Sequence, residues 1–198
     1  MTGGKLTFDE VIRKLSSDHP DARRSAEETL EQLLGSPESF AISACTSILK
    51  STDEVVRSSL AVVIHKRIDK AFLDRLPAKT KETLKATLIR AIQNEKITGV
   101  RNKLAQAAGD LGAMILQGSQ WPEIIQFVFQ SAKSDSADFR HCAMVILSRL
   151  SFAVTDTILP FLPMVADVLQ SALQDQSSAN VRLAAHSACC ALAQALSQ

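Results

Sequence analysis

The chain has 198 residues, 46% of them hydrophobic and 22% charged, with 22 basic against 21 acidic side chains and a formal net charge of +1. That length suits one ordinary domain or a short repeat array, and the balance of charge gives no electrostatic reason to expect nucleic acid or a membrane surface as a partner. No apolar run reaches the ~18–20 residues of a membrane span, and the opening MTGGKLTFDE lacks the basic-then-apolar order of a secretory leader, so a soluble intracellular protein is expected.

Seven Gly, six Pro and no Tyr in a chain rich in Ala, Leu, Ser and Gln favour helix over sheet. Thr7 and Glu10 have capping-box spacing and open a helix over roughly 7–16, with a second over 20–34. Ser36-Pro37 supplies an N-cap followed by Pro at the first helical position, opening 37–50. Ser51 and Glu54 offer another capping box before 53–71, whose apolar stripe is Val56, Leu60, Val63, Ile64 and Ile68. Leu76-Pro77 opens 78–94 in the manner of Ser36-Pro37. The next helix, 97–116, carries Val100, Leu104, Ala107, Ala108, Leu111 and Ile115. Trp121-Pro122-Glu123 opens 121–133, and 137–152 follows. Pro160 and Pro163 fall near the start of 158–174, so that helix begins after Pro160 or bends there. The last helix, 178–196, carries Val181, Ala184, Ala185, Ala188, Leu192 and Leu196.

These helices come in pairs, and the second helix of each pair opens on one recurring shape: an acidic or Asn residue, often an apolar residue, then Arg. The instances end at Arg23, Arg57, Arg101, Arg140 and Arg182, so successive Arg residues stand 34, 44, 39 and 42 apart. Irregular steps near forty suit the helical-pair repeats of HEAT and armadillo arrays, which accept loop insertions. One helix pair cannot bury both faces, and stacking supplies the shared core. The fold expected is all-α: an α-α superhelix, or solenoid, of about five HEAT repeats at about 6–34, 36–72, 77–117, 120–153 and 156–197, filling 1–198. The final helix stays apolar at Leu192, Ala193, Ala195 and Leu196 where a capping repeat would turn polar, so the chain is expected to be a segment of a longer solenoid. Small residues from Ala105 to Gly109 allow close helix approach, and Gly109-Asp110-Leu111-Gly112 reads as helix packing. Arg57, Arg101, Arg140 and Arg182 are expected to pair with carboxylates of neighbouring repeats, such as Asp53, Asp135 and Asp175, as a structural ladder.

Four strings, in order, resemble the N-terminal end of the importin-β (karyopherin-β) nuclear transport receptors, most closely the importin-five branch. They are Asp21-Ala22-Arg23-Arg24-Ser25-Ala26-Glu27-Glu28; Ala61-Val62-Val63-Ile64 followed by His65-Lys66; Ala71-Phe72 with Leu76-Pro77; and Gln120-Trp121-Pro122-Glu123 with Phe127, Phe129 and Ser131. The basic pair departs from that branch, with His65-Lys66 standing where two Arg are the family's pattern. The resemblance implies a receptor that shuttles between cytoplasm and nucleus, with Ran GTPase in its GTP form as a partner. It also implies protein cargo bearing nuclear localisation signals, carried on the concave face, and Phe-Gly nucleoporins in grooves on the convex side. By that likeness Ran would meet the non-core stripes of the second helices. The candidates are Arg24, Glu28 and Glu31; Ser58, His65, Lys66 and Asp69; Lys103, Gln106 and Asp110; with His141 and Ser148 on the next helix.

No catalytic constellation emerges. His19, His65, His141 and His186 form no His-Glu-x-x-His pattern, no phosphate-cradling Gly-Lys-Ser/Thr loop occurs, and there is no Gly-x-Ser-x-Gly elbow. Cys45, Cys142, Cys189 and Cys190 lack metal-ligand spacing and read as buried reduced thiols. Neither cofactor nor metal is expected, and neither is direct nucleic-acid or membrane binding. Trp121 is expected at a repeat junction, and Phe127 and Phe129 in the core, with a partly exposed Phe able to help form a nucleoporin groove. The alternative is another HEAT scaffold, such as a phosphatase regulatory subunit, a coat adaptor or a chromatin-associated protein.

Overall fold

The computed structural model describes residues 6–118, 120–151 and 159–197. Among them the chain is helical throughout, with eleven α-helices, one 3-10 turn and no strand. No helix among the described residues is long and apolar enough to cross a membrane. The chain divides into two compact units, the first through Val100 and the second from Arg101.

The first unit holds α1 (Phe8–Lys14), α2 (Pro20–Leu34), α3 (Pro37–Lys50), α4 (Glu54–Arg67), α5 (Lys70–Asp74) and α6 (Ala78–Asn94). The capping box at the head of α1 forms as its spacing predicts, Thr7 and Glu10 exchanging side-chain and backbone bonds. Short turns join α1 to α2 and α3 to α4, making αα-hairpins. Residues at steps of three and four face inward: Val11 and Ile12 from α1, Leu30 from α2, Phe40, Ala44 and Ile48 from α3, and Val56, Leu60 and Ile64 from α4. Each large aliphatic or aromatic side chain so buried contributes about 1.5–3 kcal/mol. Ala26, Ala41, Ala44 and Ala61 have no exposed surface, and these small side chains let the hairpins approach closely. Phe8, Phe40 and Phe72 form an edge-to-face chain, with centroids 5.7 and 5.9 Å apart, that joins α1, α3 and α5.

Three expectations for this unit are corrected. The helix anticipated over 53–71 breaks: α4 ends at Arg67, Ile68 is extended and buried, and the Asp69 carboxylate accepts the Phe72 N–H to start α5. Ser51 is the C-cap of α3 and not half of a capping box; Asp53 takes the N-cap and accepts from Val55 N–H. Pro77, expected at the first helical position of α6, sits one residue earlier as its N-cap.

The second unit takes most of α7 (Thr98–Leu116), then α8 (Pro122–Ala132), α9 (Ala137–Leu150), a 3-10 turn over Leu159–Phe161, α10 (Leu162–Leu173) and α11 (Ala179–Leu196). Here α8 packs on α9, α9 on α11, and α10 on both α11 and α8. Of the two courses open to the chain at Pro160 and Pro163, the α-helix begins after Pro160, with Pro163 in its first turn. The end of the helix expected to 152, the first residue of the one expected from 158 and the repeat boundary near 153–156 fall outside the described residues. Trp121 is 1% exposed and lies with Ile124 and Leu150 around Gly112. A Cβ on Gly109 would stand 2.7 Å from Arg149 Cβ and 3.3 Å from Ile146 Cα, so the bare backbone there is what lets α7 lie against α9.

The cysteine expectation holds in part. All four are free thiols, and Cys45 and Cys142 are buried, but Cys189 is half-buried and Cys190 exposed. The buried stripe of α11 runs Val181, Ala184, Ala185, Ala188 and Leu192, and the two later cysteines fall to its side.

Candidate protein-binding faces

An ion-pair ladder fixes the helices that carry the candidate faces. In the first unit Arg13 Nε reaches Asp53 at 2.7 Å, and Arg57 reaches Glu95 through Nε at 2.7 Å and Nη2 at 3.1 Å. In the second unit Arg101 reaches Asp138 at 2.8 Å and Arg140 reaches Asp175 at 2.6 Å. Arg101 also lies over the Phe139 ring, 5.0 Å from its centroid. Three of the four expected arginines are rungs, and of the expected carboxylates Asp175 holds its place, on Arg140, while the others differ. Asp53 serves Arg13, Asp135 gives Arg140 only its backbone carbonyl, and Arg182 donates to the carbonyl of Asp175 and not to a carboxylate. Sequence reasoning missed Arg13, Glu95 and Asp138 as partners. The rung is built from whichever carboxylate the inter-helix turn brings round, and residue spacing alone does not reveal which.

On the first unit, Arg24 and Glu28 are exposed on one side of α2, a turn apart, and Glu31 continues their strip. Glu31 pairs with Arg67 at the end of α4, so it ties the two helices together. Along α4, Ser58 and His65 are half-buried and Lys66 is exposed. Asp69 is exposed, but its carboxylate caps α5. Arg24, Glu28 and Lys66 therefore present the open charges of this face.

On the second unit, Lys103 is exposed while Gln106 and Asp110 are half-buried. Asp110 accepts from Arg149 at 3.2 Å. His141 Nδ1 stands 3.1 Å from Asn102 Oδ1, and burial lowers its pKa against the opposing pull of Asp138. Burial thus favours the neutral ring, and the tautomer that satisfies Asn102 carries its proton on Nδ1. Gln106, His141 and Ser148 come together as one wall of a trough of about 270 Å³ across α7, α9 and α11. Its far wall includes Leu183, 68% exposed, and Ser187. These two were not anticipated; Leu183 was detectable as a large apolar residue lying off the stripe of its own helix.

A second, apolar groove lies between α8 and α10. Ile125 and Phe129 form one side, Phe161 and Val165 the other, and the two Phe centroids are 6.4 Å apart. Phe127 is buried as expected, whereas Phe129 is half-buried at this surface and Phe161 is 38% exposed.

Paired helices bound by a rung of ion pairs define the class: an all-α helical-repeat protein. A family model described as "IPO5-like, TPR repeats" matches residues 96–198, a little over half of the chain. The probable importin-5 homolog of Dictyostelium discoideum is 23% identical over 176 residues, covering 85% of this chain and 16% of its own length. Importin-4 of Mus musculus is 26% identical over 143 residues, covering 71% of this chain and 13% of its own. The crystal structure of Kap121p superposes with a TM-score of 0.79 at 23% identity, covering 93% of this chain and 18% of that one. Kap121p bound to RanGTP superposes at 0.76 with 23% identity, over 93% of this chain and 17% of that one. The chain belongs to the importin-5-like family of the importin-β superfamily, and its fold is of the HEAT-repeat kind found in Kap121p. It spans about a sixth or less of the length of the curated relatives it matches.

Proposed function

We propose that this chain is a Ran-binding segment of a nuclear transport receptor that shuttles between cytoplasm and nucleus and carries protein cargo through the pore. The observation that carries the reading is the family match over residues 96–198, joined to the fold shared with a protein solved in complex with RanGTP. The open charges of α2 and α4 fit a GTPase surface through complementary ion pairs. The chemistry is reversible binding: Ran in its GTP form and cargo compete through linked free energies along the repeats, so loading Ran releases what was carried. The half-buried Phe129 and the exposed Phe161 offer an apolar surface against which nucleoporin Phe side chains would pack.

The test is capture of Ran loaded with GTP or GDP on the immobilised chain. Selective retention of the GTP form is expected, and Arg24→Glu with Lys66→Glu should weaken it about tenfold, the loss of ~1.4 kcal/mol. These two residues are better probes than Asp110, whose replacement would also leave Arg149 unpaired. Equal retention of both nucleotide forms would reject the reading.

A further inference from the structure

The first unit carries a groove of about 790 Å³ at the edge where α3 and α6 end, away from the strip of α2 and α4 described above. Ile48 and Ala91 are buried beneath it, and Leu49 and Ile97, 40% and 38% exposed, stand at its sides. Four cations line it, Lys50, Arg57, Arg90 and Lys96, against one carboxylate, Glu95. Glu95 is spent on Arg57, which also feels Asp53 and Glu54. Lys50, Arg90 and Lys96 are exposed, and among the described residues none of their side chains makes an ion pair. A chain that is nearly neutral as a whole therefore concentrates three open positive charges around two exposed apolar side chains in a concave surface.

We infer that this groove binds an acidic peptide segment that carries one apolar anchor. The two exposed aliphatic side chains would cover the anchor, giving up their contact with water. Carboxylates on either side of the anchor would answer Lys50, Arg90 and Lys96. Nucleic acid fits less well, since no aromatic side chain lines the groove to stack a base. The site is separate from the Ran reading and stands or falls without it.

The probe is a fluorescein-labelled synthetic peptide of Asp and Glu residues around a central Leu, followed by anisotropy on the full chain. The acidic peptide should bind, and the same peptide rebuilt with Lys should not. Lys50→Glu/Arg90→Glu/Lys96→Glu should weaken binding about tenfold or more, since three exposed attractions of ~0.5 kcal/mol each become repulsions. Leu49→Ser/Ile97→Ser should weaken the Leu peptide and leave a Ser-centred peptide unaffected. All five side chains are exposed, and unchanged circular dichroism verifies folding. Reversing three cations elsewhere, Lys70, Lys79 and Lys133, should leave affinity as it was. An equal loss there, indifference to the groove substitutions, or preference for oligo-dT over the peptide would each overturn the assignment.

Discussion

Arg57 holds Glu95 with two N–H···O bonds in fork geometry, and a third bond from the same guanidinium reaches the carbonyl of Ser51 at 2.9 Å. Glu95 in turn accepts the backbone N–H groups of Lys96 and Ile97 at 2.9 and 3.0 Å. The two side chains are only 15% and 5% exposed. Removing one partner strands the other with little water to replace it. Glu95→Ala should therefore cost about 2–4 kcal/mol in urea unfolding. Arg13→Ala, at the rung whose Arg is 57% exposed, should cost about 0–1 kcal/mol. Equal costs would mean that burial does not grade the ladder.

The ladder also sets the acid response. Arg140 holds the Asp175 carboxyl well below the usual carboxylate range, with help from the Ser177 hydroxyl and N–H. Burial pushes Glu95 up, but Arg57 and the N–H groups of Ile97 and Lys96 outweigh it and leave the group lowered. A carboxylate depressed in the folded state contributes stability above its unfolded pKa, about 3.9 for Asp and about 4.3 for Glu. That contribution is lost as pH falls from there toward the folded value. The urea midpoint should thus hold between about pH 5 and 7 and drop below about pH 4. Asp175→Asn should lower it at pH 6, and the gap to the parent chain should close progressively below about pH 4.

Two glycines of one helix should respond to alanine with opposite signs. Alanine usually stabilises a helix over glycine by about 0.5–1 kcal/mol. At Gly99 the new Cβ would meet nothing within 4 Å, so Gly99→Ala should gain about 0.5 kcal/mol. At Gly109 it would press on the Cβ of Arg149 and the backbone of Ile146, neither of which can rotate away. Gly109→Ala should cost about 1–3 kcal/mol through displacement of α9. Thermal melts of the two variants decide it, and a gain at Gly109 would show that α7 and α9 do not approach as closely as described.

The fold was readable where one local rule governs. Helix α3 begins at Pro37 and α8 at Pro122, both after positions where Pro suits the first turn, and Gly109 and Gly112 were legible as packing glycines. The break after Arg67 was hidden because Ile68 continues the stripe through Ile64 and is itself buried. Only the competition between continuing a helix and capping a new one at Asp69 decides that break, and an Asp three residues before a core Phe is the cue for it. The candidate faces were legible as stripes but not as free surface. Glu31 and Asp110 lie where their helical phase puts them, yet each is engaged by a neighbour that no spacing rule names, and Asp69 leaves the phase of α4 to cap α5. The groove beside Lys50, Arg90 and Lys96 was invisible because its walls come from residues forty apart.

The four cysteines should separate by reactivity, because the thiolate is the species that attacks and burial suppresses it. Burial pushes the Cys142 thiol up to about 12 and also raises Cys45. Cys189, half-buried, is raised by burial too, with its neighbour Cys190 adding to the effect. Cys190 is exposed, its Sγ 3.8 Å from His186 Nδ1 on the preceding turn. Iodoacetamide at pH 8 should therefore alkylate Cys190 first and Cys189 more slowly in the folded chain. Cys45 and Cys142 should react only at the rate at which their surroundings open. Peptide mapping by mass spectrometry over a time course reads the order directly. If Cys142 is modified as fast as Cys190 without denaturant, then α7 and α9 part readily, and the packing that Gly109 permits does not persist in solution.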